Sequence, residues 1–188
     1  MTRDALARIL RERRVEAGLA MLLLVAVPGL VHLWLRPAPG ARFVVPNPAP
    51  PNVALPPGTV ITASSSDAQH NRDTAFLVDG LVHDLRFAWA TRQDLAPVLV
   101  IEFPAPVAKQ RLTLHGVAAP PFVVPTAIEV HCRAPHPSAA LGSSLETVGW
   151  RVMISITEPC TAIEVRFKAK DLERHSLAAT EWVLEPIR

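Results

Sequence analysis

The side chains in this 188-residue sequence best able to do chemistry are a serine triplet, Ser64-Ser65-Ser66, two cysteines and seven histidines. A serine acts as a nucleophile only with a base beside it. No G-x-S-x-G elbow surrounds these serines, and no phosphate-binding glycine loop, H-E-x-x-H or C-x-x-C motif occurs. His131-Cys132, with His136 close by, has the composition of a metal site. Alternation along Ile128-Glu129-Val130-His131-Cys132 sends His131 and Cys132 to opposite faces of a strand, so they cannot share one ion. His70, His83, His115 and His175 fall in loops and on outward faces. Glu129, Arg133, Glu164 and Arg166 face outward on two strands and form a surface charge ladder rather than an acid–base pair. The expectation is a non-catalytic protein without a cofactor.

Cys132 and Cys160 admit two readings. In an oxidising compartment they could pair. Otherwise they are two small core residues. Cys132 turns inward with Ile128 and Val130. In Thr161 to Phe167 the inward set is Ile163, Val165 and Phe167, which gives Cys160 the wrong parity for pairing unless Pro159 breaks the alternation.

The elements that must position these groups begin with an anchor. Residues 1–16 form a tail with five arginines, Arg3, Arg8, Arg11, Arg13 and Arg14, and Leu6, Ile9 and Leu10 could lay it on anionic lipid. Ala17 to Leu35 then run without a formal charge. At about 1.5 Å per residue this run reaches roughly the 30 Å of a hydrocarbon core, so residues 17–36 are read as a transmembrane helix. Pro28-Gly29 makes a kink that membrane helices tolerate. His32 and Trp34 sit near its far end, where amphipathic rings suit the interface. The basic flank places the N-terminus in the cytoplasm and the rest outside. A cleaved signal peptide is the rival, but its apolar region spans roughly 7–15 residues and a small-residue site follows it. Here the run is longer and Pro37 and Pro39 follow. Arginine far outnumbers lysine (Lys109, Lys168 and Lys170), a bias of GC-rich bacterial genomes, so the membrane expected is a bacterial inner membrane with a periplasmic or extracellular domain.

Residues 37–58 hold eight of the 19 prolines and read as an extended spacer, with Phe43-Val44-Val45 as an apolar contact point. Residues 59–188 read as an all-β domain. Short apolar runs alternate with turns at Val98 to Phe103, Arg111 to His115, Ala127 to Cys132, Arg151 to Ile156, Ala162 to Phe167 and Glu181 to Leu184. The one helix-like stretch is Arg72 to Val78. Net charge is +2 with its basic excess in the tail, which excludes a nucleic-acid footprint on the domain.

Several pieces of this domain resemble the discoidin-like family, also called coagulation-factor type C or galactose-binding-like. They are Ser64-Ser65-Ser66, Ala75-Phe76-Leu77-Val78-Asp79-Gly80, Phe87-Ala88-Trp89-Ala90, Val107 to Leu114, Pro125 to Val130, Cys160 to Phe167 and Ala178 to Leu184. They span residues 64 to 184 in the family's order. The resemblance implies a jelly-roll β-sandwich. It also implies a structural calcium near the Asp-Gly loop and the closing glutamate, which would fall on Asp79, Asp84 and Glu181. The loop from Asp79 to Trp89 is longer and more apolar than the family's, lacks its threonine before the tryptophan and contains Arg86, all of which count against the ion. Sugar binding at one end of the sandwich is the family's other implication. With no tyrosine, and with Trp89 and Trp182 on core positions, Phe122 and Trp150 are the aromatics left for it.

Two functions follow. In the first, the chain is an accessory or scaffolding subunit that docks on a larger membrane protein complex through Trp34, Phe43, Phe122 and Trp150. In the second, it is an anchored carbohydrate-binding module, which requires a loop-end pocket containing Trp150 or Phe122 with arginine and histidine. The apolar loop Ala118 to Pro125 favours the first.

Overall fold

The computed structural model describes residues 42–49, 54–67, 70, 72–82, 88–92, 94–134 and 139–187. The tail, the anchor with His32 and Trp34, and Asp84 and His136 lie outside them. Among the described residues no helix is long and apolar enough to cross a membrane.

Alternating apolar residues, interrupted by prolines, produce twelve strands among the described residues: β1 (Arg42–Val44), β2 (Val60–Ala63), β3 (Trp89–Ala90), β4 (Val98–Val107), β5 (Gln110–Gly116), β6 (Phe122–Val123), β7 (Pro125–Ala134), β8 (Ala139–Ala140), β9 (Gly142–Glu146), β10 (Arg151–Ile156), β11 (Cys160–Ala169) and β12 (Ser176–Pro186). They form two antiparallel sheets, in the orders β1-β2-β4-β11-β7-β8 and β3-β12-β5-β10-β9, and β6 adds in parallel to the start of β12. All six expected runs are strands. The helix-like stretch is a 3-10 helix, Thr74–Val78, whose first amide is capped by the Asp73 carboxylate.

Burial alternates as a sandwich requires. In β10, Val152, Ile154 and Ile156 are buried while Arg151, Met153 and Ser155 face out. Ile61, Leu99, Ile101, Ile163, Val165 and Phe167 from the first sheet meet Leu112, Leu114, Ile154 and Trp182 from the second in one cluster. Trp89 and Trp182 are buried, as their core assignment requires.

Trp150 is buried too, which corrects its assignment as a partner contact. Its ring is fully enclosed, its Nε1 donates to the Val117 carbonyl at 3.0 Å, and its edge packs against Phe167 of the opposite sheet with centroids 6.0 Å apart. Phe43 is half-buried. It lies in β1 opposite Ile61 and packs against the core. The described part of the expected spacer therefore belongs to the domain. Val45 and Leu55 are buried, and Val45 exchanges backbone hydrogen bonds with Thr59 and Gly58.

Cys132 and Cys160 form a disulfide with Cα atoms 6.0 Å apart. The parity argument fails because register slips between Cys160 and Ala162, so the residue before the regular part of β11 turns back into the core. The bridge closes a loop of sequence separation 28. Replacing both cysteines by alanine should lower unfolding free energy by about 3 to 4 kcal/mol on the chain-entropy model. A denaturant midpoint unmoved between the oxidised wild type and the double variant would show that the bridge does not form.

Candidate functional site

The strand register sorts the loops into two ends. Ala63, Val98, Gly116, Pro125, Ala169 and Ala179 all lie toward one end, which carries the loops after β2, before β4, around β6, between β9 and β10 and before β12. The site is built there.

The serine triplet organises this end. Ser64 and Ser65 hydroxyls donate to the Asp94 carboxylate, and Ser64 accepts from the Val98 amide at 2.9 Å. Ser66 donates to the Arg72 carbonyl at 2.7 Å. Trp89, buried beneath, donates from Nε1 to the Ser65 carbonyl at 3.0 Å. These bonds shape a narrow loop in which the Asp67 amide reaches the Ala90 carbonyl at 2.9 Å, and the His70 and Arg72 amides both donate to the Asp67 carbonyl. His70 Nδ1 lies 2.8 Å from the Asp67 carboxylate.

This loop carries Arg72 onto Phe122. The guanidinium carbon lies 5.6 Å from the ring centroid, a cation–π contact. Phe122 is half-buried against Ala88, Ala90, Val117 and Ala178. The ring is thus held on its apolar side, and Arg72 is held over it. At the same end a cavity of about 540 Å³ opens between Leu95, Ala169, Leu172, Asp171, Glu173 and Arg174. Its volume falls in the range of small-ligand sites. Leu95 and Val148 at this end are exposed.

Among the described partner-contact residues, only Phe122 reaches this end with part of its surface open. Arg72 and His70 went unrecognised in the sequence because nothing local ties residue 72 to residue 122. The Phe122-with-arginine part of the sugar-site requirement was the available signal.

The calcium candidates are partly brought together. Glu181 is buried, its Oε2 accepts from the Gly80 amide at 2.8 Å, and its Oε1 has no hydrogen-bond partner among the described residues. Asp79 lies beside it. Burial, reinforced by the Asp79 charge and hydrogen bond, pushes the Glu181 carboxyl up to about 8. Calcium takes roughly six to eight oxygens. The described residues bring two carboxylates, each already accepting a backbone amide hydrogen, and no group of three metal-ligating side chains occurs among them. These residues alone fall short of a calcium site.

The charge ladder forms and also recruits Lys168. Glu164 pairs with Arg166 at 2.6 Å and with Arg133 at 3.5 Å, while Glu129 takes Lys168. The Lys168 ammonium holds the Glu129 carboxyl below the usual carboxylate range.

No protein-family model and no curated protein matches the sequence. Solved structures do share the architecture. A chain of the Streptococcus pneumoniae beta-galactosidase BgaA matches with TM-score 0.54 at 12% identity, over 68% of this chain and 90% of that one. The family 32 carbohydrate-binding module of C. perfringens NanJ, solved with galactose, matches with TM-score 0.52 at 12% identity, over 77% and 99%. CpGH89CBM32-5 from Clostridium perfringens, solved with GalNAc-β-1,3-galactose, matches with TM-score 0.53 at 14% identity, over 68% and 94%. The domain has the discoidin-like fold. Identity this low speaks for the fold alone, so what the discoidin-like domain binds must be argued from its own loop end.

Proposed function

We propose that this chain is a non-catalytic, membrane-anchored glycan-binding protein whose exported discoidin-like domain holds a saccharide at its loop end. The observation that carries the reading is Arg72 seated over Phe122 beside the Asp67–His70 pair. A guanidinium presents N–H donors in a plane, a chemistry that suits sugar hydroxyls as acceptors. The half-buried ring offers apolar surface to sugar C–H groups. Two neighbours of the same fold were solved with galactose or a galactose-containing disaccharide, and a third, with TM-score 0.50, with GalNAc. The charge-free run Ala17 to Leu35 supplies the anchor, and the disulfide suits an oxidising compartment outside a bacterial inner membrane.

The accessory-subunit reading comes second. Two of its contact residues, Phe43 and Trp150, serve the domain's own packing. Exposed Leu95 and Val148 at the loop end still suit a protein contact.

The test is retention of the full chain on immobilised galactose- and GalNAc-terminated glycans. Wild type should be retained, and F122A and R72A should each weaken binding roughly tenfold or more with unchanged circular dichroism. Absence of wild-type retention on any glycan, with stoichiometric co-elution with a membrane complex after gentle extraction, would put the accessory reading first.

A further inference from the structure

The water-facing side of the second sheet holds a groove that is separate from the loop end. Its volume is about 390 Å³, and Arg111, Gly142, Ser143, Ser144, Met153 and Ser155 line it. Register explains the shape. Arg111 of β5, Ser155 of β10 and Gly142 of β9 stand in one row across three strands. Thr113, Met153 and Ser144 form the next row. The small residues leave a trough between the Arg111 and Met153 side chains. An added Cβ at Gly142 would meet nothing within 4 Å, so the trough is open above it.

The charges are uneven. Further toward the loop end, Arg151 is neutralised by Glu146 at 2.6 Å. Arg111 has no ion pair among the described residues, and no carboxylate lines the groove. Glu185 stands opposite Arg111 on β12 without pairing to it. The groove thus combines one available guanidinium, three hydroxyls and a flexible apolar side chain. A guanidinium binds carboxylate in a two-point fork, hydroxyls exchange hydrogen bonds with hydroxyls, and methionine packs on C–H surface.

We propose that this groove is a second saccharide site selective for acidic sugars, with Arg111 receiving the carboxylate of a uronic acid and Ser144 and Ser155 receiving its hydroxyls. It does not depend on the loop-end site.

Calorimetry on the full chain with short oligogalacturonates, against neutral galacto-oligosaccharides of equal length, tests this. Oligogalacturonate should bind and neutral sugar should not compete for the groove. R111A should weaken oligogalacturonate binding roughly tenfold or more, S144W should fill the trough and abolish it, and E185Q should strengthen it. Binding should also weaken as salt rises. F122A, which disables the loop end, should leave it unchanged. Three results would each overturn the proposal: no oligogalacturonate binding by wild type, equal binding by R111A and S144W, or loss of binding in F122A. Matching melting temperatures keep misfolding from imitating a lost site, because Arg111 and Ser144 are exposed.

Discussion

Replacing Gly116 by alanine should destabilise the domain by about 3 kcal/mol or more, although only one methyl is added. A Cβ at Gly116 would lie 1.9 Å from Cε2 and 2.0 Å from Cδ2 of Trp150. The obstacle is the fused ring of a fully buried side chain, which cannot swing aside. Its edge is packed on Phe167, its Nε1 is bonded to the Val117 carbonyl, and its own carbonyl accepts from the Gly116 amide at 2.9 Å. The ring must leave its place or the two strands must part. W150A alone should cost about 3 to 5 kcal/mol through the cavity it opens. The informative variant carries both changes. G116A adds little once the indole is gone, so the two effects fall well short of additive. Urea unfolding of the four proteins measures this. Additive losses, or a G116A loss under about 1 kcal/mol, would mean that the ring does not rest on the glycine.

The second large effect depends on pH. Glu181 has a folded-state pKa of about 8 against a reference of 4.5, chiefly because burial disfavours its charge and secondarily because of Asp79. Below pH 4.5 the carboxyl is protonated in both states. Between 4.5 and 8 the unfolded chain loses this proton while the folded chain keeps it, so the unfolded state gains. Stability from this group is therefore fully present below pH 4.5 and lost as pH rises through 8, with a ceiling of about 5 kcal/mol. E181Q mimics the neutral carboxyl and should remove this slope, so that it matches wild type at pH 5 and exceeds it at pH 8.5 in chelator. Parallel slopes for the two proteins would show that Glu181 is ionised in the fold. Added calcium that restored wild type at pH 8.5, and not E181Q, would instead make Asp79 and Glu181 ligands of the calcium implied by the family resemblance.

Both effects arise where distant segments meet, and neither was legible in the sequence. Gly116 ends β5 and Trp150 sits in the turn just before β10, so nothing local ties the two together. Glu181 follows an alanine-rich stretch at a position where charged residues ordinarily face water. A register shift between Ala179 and Glu181 interrupts the regular pairing of β12 with β5 there. The same kind of slip at Cys160 defeated the parity argument against the disulfide. Side-chain alternation holds only within an unbroken ladder.

What the sequence determined by itself was the part governed by local chemistry: the all-β class, the six main strands, the short helix-like stretch at Arg72 to Val78, the inward face of β11, and the order of family-like pieces. Hydrophobic period and proline positions are local, so they survive without knowledge of the fold. Prolines misled around β1, where Arg42-Phe43-Val44 is a strand-forming run between them. Such a run becomes a strand only when a sheet edge is available, and β2 provides one. Tertiary structure alone decided that Arg72 stands over Phe122, that Arg111 and three serines share a groove, and that Trp150 is core. Each depends on which strands become neighbours, and strand pairing is set by burying one continuous apolar core rather than by any segment's own preference.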